Sequence, residues 1–200
     1  MVSTKNIKEE NAALFALKYH SKLFKEVSSF ASGDDLGEPD IDGQSTLHVF
    51  ASKPEIFELF PIDKSISGLN RKDSKNQTSL ALCMKARNTE MAMKLIEFGA
   101  SLRNLDDVDS NILHLCSKFE NEQVAFVAVE KSKDLLNEKD KNGDHPHHLT
   151  VTKDYNSQTM LAFYLKQGNF NISSINQDGI NALQLALTNN ENLVQSFDLD

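Results

Sequence analysis

DIDGQSTLHVFA, starting at Asp40, is the first of a series of related fragments. DSKNQTSLALCM starts 33 residues later at Asp73, and DDVDSNILHLCS another 33 later at Asp106. DKNGDHPHHLTV follows at Asp140, a step of 34, and NQDGINALQLAL at Asn176, a step of 36. Self-similarity at such a period marks a repeat architecture. One turn with two short helices cannot bury its own apolar face, so successive units must stack. The boundaries that follow are 40–72, 73–105, 106–139, 140–175 and 176–200, the last incomplete.

The second unit shows the internal plan. Asp73 to Gln77 reads as a turn, with Asn76 able to take the left-handed conformation. Thr78 is the N-cap of a helix carrying Leu80, Cys83 and Met84. After a break at Ala86-Arg87-Asn88, Met91 and Leu95 share one face of a second helix. Gly99 closes it. In the first unit Pro54 suits the start of a shorter second helix and Pro61 its end. In the fourth, a second helix is expected over Met160 to Lys166, with Gly168 at its end. The segment NAALFALKYHSKLFKEVSSF reads as two helices lacking a preceding turn, a cap over 11–39 with Lys18, Lys22, Lys25 and Glu26 on its solvated face. Gly33 to Asp42 reads as an acidic loop.

A turn followed by a T-P-L-H-like tetrapeptide at this period resembles the ankyrin-repeat family. Leu47-His48 and Leu113-His114 keep the Leu-His pair, Pro146 and His148 keep two positions in the fourth unit, and LIEFGASLRNLD is similar to the family's unit end. The resemblance implies an all-α repeat solenoid of about five units plus an N-terminal helical cap. It implies a non-enzymatic protein–protein interaction module, a scaffold, adaptor or inhibitor, using turn fingertips and a concave face lined by first helices. It also leaves open a regulatory or targeting region of a larger enzyme, channel or trafficking protein, or an inhibitor like those of Rel-type transcription factors. The apolar Leu193, Val194 and Phe197 close to the last residue favour a chain that continues or packs against another domain.

In that register Lys53, Lys85, Lys118 and Lys153 fall at the exposed ends of four first helices, with Phe119 beside them and Thr152 preceding Lys153. Ile41, Lys75, Val108 and Ile180 fall at fingertips. The expected partner is a protein offering an acidic segment with an apolar anchor.

The chain has 200 residues, a net charge of −8 and 40% hydrophobic residues, ordinary for a globular protein. The acidic balance argues against nucleic acid. No apolar run reaches membrane-spanning length and no signal-type leader stands at the start, so an intracellular, cytoplasmic or nuclear location is expected. Cys83 and Cys116 occupy equivalent positions about 10 Å apart in stacked units, beyond the ~7 Å of a disulfide. They read as small buried hydrophobes in a reducing compartment.

His145, His147 and His148 form the one local cluster with ligand chemistry. Pro146 opens a helix and His148 matches a structural position, so the cluster reads as a locally weakened repeat in which His147 replaces a core Leu. No metal or cofactor is expected. The acidic run Asp34-Asp35-Glu38-Asp40-Asp42 lacks calcium-loop spacing. The sequons at Asn76 and Asn171 read as accidental. There is no phosphate-binding Gly-rich loop, no H-E-x-x-H and no nucleophile elbow.

Overall fold

The computed structural model describes residues 5–60, 66–152, 155–156, 158–168 and 170–189. Pro61, Lys153, Leu193, Val194 and Phe197 lie outside them. The described chain is all-α apart from one two-residue hairpin, and it divides into two compact units.

The first unit spans Met1–Ser101 with Leu105–Asp107. It contains α1 (Ala12–Tyr19), α2 (Ser21–Phe30), α3 (Gly33–Gly37), α4 (Thr46–Ser52), a 3-10 helix (Pro54–Leu59), α5 (Ser79–Lys85) and α6 (Thr89–Glu97). The acidic stretch read as a loop thus holds one helical turn. Ser32 and Asp35 close it reciprocally: the Ser32 hydroxyl accepts the Asp35 N–H at 3.1 Å, and the Asp35 carboxylate accepts the Ser32 N–H at 2.9 Å.

Leu14, Leu17, Phe24, Leu36 and Leu47 are buried, and an aromatic file runs from Phe24 through Phe50 to Phe60 with centroids 5.4 and 5.2 Å apart, both edge-to-face. Local chemistry sets the helix limits. The Asn88 amide oxygen accepts the Met91 N–H at 3.2 Å and starts α6. At the other end Gly99 takes φ +89, and Ala100 donates back to Leu95 at 2.9 Å. The Asn88 amide group also donates to the Phe50 carbonyl at 2.9 Å, tying α6 to α4.

The second unit spans Leu102–Asn104 with Val108–Asp200. It contains α7 (Ile112–Phe119), α8 (Glu122–Lys131), 3-10 helices at Lys133–Asn137 and His148–Thr150, strands β1 (Val151–Thr152) and β2 (Tyr155–Asn156), then α9 (Gln158–Gln167) and α10 (Ala182–Asn189). Its core gathers Leu113, Cys116, Val124, Leu136, Met160 and Tyr164. The Tyr164 hydroxyl donates to the Leu113 carbonyl at 3.0 Å and meets the Ser117 hydroxyl at 2.8 Å.

The fourth segment departs from the expected plan. Its first helix, expected to end at Thr152 and Lys153, is replaced by the 3-10 turn and the antiparallel hairpin, with Val151 opposite Asn156 and Thr152 opposite Tyr155. Three consecutive β-branched residues, Thr150 to Thr152, disfavour a helix and suit a strand. The Thr150 hydroxyl donates to the His147 carbonyl at 2.8 Å, holding the short turn.

Candidate protein-binding surface

Four of the five segments that open on Asp or Asn share one hydrogen-bonded turn. The Asp40 carboxylate accepts the N–H groups of Asp42 (2.9 Å) and Gln44 (2.8 Å), and the Asp40 N–H donates to the Gln44 carbonyl at 2.9 Å. Asp73 does the same with Lys75 and Gln77, both at 2.9 Å. Asp140 does so with Asn142 and Asp144 (2.8 and 3.0 Å), and Asn176 with Asp178 and Ile180 (3.0 and 3.1 Å). An Asx side chain bonded to its own backbone two residues on is a self-sufficient turn. The fourth residue of every turn has positive φ: Gly43 +74, Asn76 +59, Asp109 +57, Gly143 +74 and Gly179 +74. Gly, Asn and Asp tolerate that region best, which explains why Asn and Asp stand in for Gly there.

The structure adds a turn that the sequence reading missed. Asn6 accepts the N–H groups of Lys8 (2.9 Å) and Glu10 (3.1 Å), its own N–H donates to the Glu10 carbonyl at 3.2 Å, and Glu9 has φ +59. The N-terminal helices therefore do have a turn before them. It escaped notice because Asn replaces Asp and Glu occupies the glycine position. The signal was a step of 34 back from Asp40.

This turn reassigns Lys18. Instead of facing solvent as a cap residue, its ammonium lies between the buried carboxylates of Glu10 (3.1 Å) and Asp40. Burial works against the lysine's charge, but hydrogen bonds to both carboxylates outweigh it and hold its pKa above the ordinary value.

Within each unit adjacent turns are stitched by backbone. In the first, Ile41 donates to the Lys8 carbonyl at 3.0 Å and Ser74 to the Asp42 carbonyl at 2.9 Å. In the second, Lys141 donates to Val108 at 2.9 Å and Gln177 to Asn142 at 3.3 Å. The tips thus form rigid rows. The second turn position carries Ile7, 97% exposed, and Ile41, 65% exposed, on neighbouring tips.

The expected binding residues separate into several environments. Ile41 and Lys75 are exposed on adjoining tips. Val108 and Ile180 are half-buried, and their backbones belong to the turn network. Lys85 is exposed at the end of α5, while Lys118 and Phe119 are half-buried at the end of α7. Lys53 is half-buried, its ammonium donating to the Lys18 carbonyl at 3.4 Å. Lys85 belongs to the first unit and Lys118 to the second. Lys153 is outside the described residues.

The histidines and cysteines are buried. His114 and His148 donate Nε2–H to the carbonyls of Asp144 (2.9 Å) and Ser174 (3.0 Å). His48 accepts the Ser45 N–H at 3.2 Å. His147 is 1% exposed, its ring 4.6 Å from that of His148 and 5.0 Å from that of Phe170. Burial and the neighbouring imidazoles depress His147 to about 3, and the same causes depress His145 to about 4. No group of three ligand side chains among the described residues is placed to hold a metal. Cys83 and Cys116 are both wholly buried thiols, and burial raises both well above the ordinary thiol range. No helix among the described residues is long and apolar enough to cross a membrane.

No family model matches the chain. No curated protein matches it. Among solved structures it is similar to a chain in the complex of a predatory endopeptidase from Bdellovibrio bacteriovorus with an immunity protein, with a TM-score of 0.75, 20% identity and 94% of each chain covered. The likeness is one of fold. At that identity it carries no function, and 419 solved chains match, so the fold by itself names none.

Two expectations are corrected by these comparisons. Membership of the ankyrin-repeat family is set aside: no family model matches, and the matched structure is of an endopeptidase with its immunity protein. The physical reason is that the resemblance rested on turn and helix-start residues. Asx turns and helix caps select those residues through local hydrogen bonding whatever the ancestry. The expectation of a chain without enzymatic activity is withdrawn as well, since the matched complex contains an endopeptidase.

Proposed function

We propose that this chain is a protein-binding module in which successive turn-and-helix units form a repeat solenoid presenting the turn tips to a partner. The observation that carries the reading is the pair Ile7 and Ile41, exposed aliphatics on adjacent tips joined through the Ile41–Lys8 backbone hydrogen bond. Exposed apolar side chains on a hydrogen-bonded frame bind at a reduced ordering cost. Lys75 on the next tip, with Lys85 at a helix end, gives the surface cations for an acidic segment around that anchor. The physiological role is that of a scaffold, adaptor or inhibitor, inside the cell, where buried Cys83 and Cys116 stay reduced.

The matched complex supports the same class, since both proteins named in it bind a protein. It also favours a second reading, in which the partner is a peptidase. Affinity capture from cell extract tests both. Wild type is compared with Ile41→Asp and with the Lys75→Glu, Lys85→Glu double variant, helicity being monitored throughout. Loss of a specific captured protein in the variants at unchanged helicity supports the surface, and equal capture by all three removes it. For the second reading, the captured protein must be a peptidase whose activity the added chain lowers.

A further inference from the structure

A single ammonium stands between the first two tips. Lys18 lies on α1, and its Nζ bonds both to Glu10, the last residue of the Asn6 turn, at 3.1 Å and to Asp40, the first residue of the next turn. The Glu10 and Asp40 side chains are only 1% and 2% exposed, so water screens neither charge. Each carboxylate also serves its own turn. Glu10 Oε2 accepts the Asn6 amide at 2.9 Å, and Asp40 Oδ1 accepts the Asp42 and Gln44 N–H groups. The remaining oxygens, Glu10 Oε1 and Asp40 Oδ2, share the lysine. The Tyr19 hydroxyl adds a weak bond to Glu10 Oε1 at 3.4 Å. Burial works against the Glu10 charge, but hydrogen bonds from Asn6 and Lys18, helped by the charges of Lys18 and Lys8, outweigh it and hold the carboxyl below its ordinary pKa.

The two turns so joined are those that carry Ile7 and Ile41. Backbone links them through the Ile41 N–H and the Lys8 carbonyl at 3.0 Å. The other charged tie nearby, Lys5 to Glu38 at 3.0 Å, is a part-exposed surface pair of the kind that contributes little. Among the described residues no ion pair joins the Asp40 turn to the Asp73 turn on its other side. Take away the ammonium, and two buried carboxylates on adjacent turns are left with no cation between them. Like charges in a water-poor site repel strongly. Parting the turns relieves the repulsion, and parting them breaks the Ile41–Lys8 bond.

We infer that Lys18 is the positioning residue of the tip surface: its ammonium, shared by Glu10 and Asp40, sets the Ile7 tip against the Ile41 tip so that a partner meets the two aliphatics as one patch. Lys18 acts through the two carboxylates and touches no partner itself. Lys85 and Lys118 stand at the same place in their helices, seven residues after the N-caps Thr78 and Asn111, as Lys18 does after Asn11. Neither forms an ion pair among the described residues, so the clasp comes from the two carboxylates and not from the helix position. This inference rests on the protein-binding reading above and names what fixes the geometry of that surface.

The test is hydrogen exchange of single amides in the full chain, comparing wild type with Lys18→Met and with Lys18→Met, Glu10→Gln together. In Lys18→Met the protection of the Ile41 amide should fall at least about 10-fold. The Lys141 amide, which makes the equivalent bond to Val108 in the second unit, and the Ala92 amide in α6 should keep theirs. Adding Glu10→Gln removes one of the two facing charges and should restore most of the Ile41 protection. Lost packing of the lysine stem would not be restored that way. Unchanged Ile41 protection in Lys18→Met overturns the inference, and so does a loss that Glu10→Gln fails to recover. Should Lys18→Met unfold the first unit, seen as lost Ala92 protection, recovery in the double variant decides in the same manner. Capture from extract then reads the tips: Lys18→Met should lose the protein that Ile41→Asp loses, and the double variant should regain it. Retention by Lys18→Met of a protein that Ile41→Asp loses overturns the positioning role. Exchange is read with no partner present, so failure of the clasp and failure of the tip surface are distinct; equal capture by wild type and Ile41→Asp removes the tip surface, and the positioning role with it, whatever the exchange shows.

Discussion

His114 donates its Nε2–H to the carbonyl of Asp144, 2.9 Å away and 30 residues further along the chain. The same imidazole accepts the Asn111 N–H at 3.2 Å, so one buried side chain ties its own helix start to the next turn. His148 repeats the device, accepting the His145 N–H at 2.9 Å and donating to Ser174 at 3.0 Å. Replacing His114 with Ala would leave the buried Asn111 N–H unpaired, take one of two donors from the Asp144 carbonyl, which keeps the Asp140 N–H at 2.9 Å, and open a cavity. We expect a loss of roughly 2–4 kcal/mol, read as a lowered urea midpoint, with His114→Gln recovering part of it.

Asp73 and Asn176 do equivalent work through one side-chain oxygen each. Asp73→Asn should therefore be tolerated within about 0.5 kcal/mol, whereas Asp73→Ala strands two backbone donors and should cost about 1–2 kcal/mol. Denaturant titration of the two variants side by side checks this. Equal losses would mean that the carboxylate charge, not the turn geometry, matters at this position.

Gly143 and Gly179 share φ +74 but not their surroundings. A Cβ on Gly143 would meet Gln177 at 2.7 Å from its side chain and 2.8 Å from its backbone nitrogen, while one on Gly179 would meet nothing within 4 Å. Gly179→Ala should cost only the left-handed penalty, about 1–2 kcal/mol. Gly143→Ala should cost distinctly more, because the backbone nitrogen it meets cannot rotate away. Thermal unfolding of both variants gives the comparison.

His145 and His147 make the fourth segment acid-sensitive. Both have folded pKa values depressed, to about 4 and about 3, by burial first and then by neighbouring imidazoles. Unfolded, each would titrate near 6.5. Between those limits the unfolded chain binds more protons, so stability rises with pH: it is fully present above about pH 6.5 and falls as pH drops toward 4. The slope is about 1.4 kcal/mol per pH unit for each histidine. Between pH 7 and pH 5.5 the protection of backbone amides against hydrogen exchange should fall more in residues 140–152 than in residues 112–131. His147→Leu should flatten that difference, and an unchanged one would remove the reading.

The recurring turns were readable because their chemistry is local. Asp40, Asp73, Asp140 and Asn176 each shape their turn by accepting from residues two and four further on, so each turn is written in five consecutive letters. Asn76 in the left-handed position was legible for the same reason. The Asn6 turn obeys the same rule but was missed, since neither of its key residues is the commonest choice. The first helix of the fourth unit was misread because the repeat register was extended over Thr150, Val151 and Thr152, whose own β-preference prevailed there. Lys53 and Lys18 looked like solvated surface in the sequence, and only the packing of α1 against α4 brings their partners within reach.

By itself the sequence determined the 33-residue beat, the turn chemistry, the helix caps and the burial of Cys83, Cys116, His48 and His114. All of these follow from hydrogen bonds and periodicities confined to a few neighbouring residues. Tertiary structure decided which lysines are spent on carboxylates and carbonyls, and that Ile7 and Ile41 share neighbouring tips. These depend on residues some 10 to 35 positions apart being brought together, and a linear pattern cannot say which face of a helix finds a partner and which is left in water.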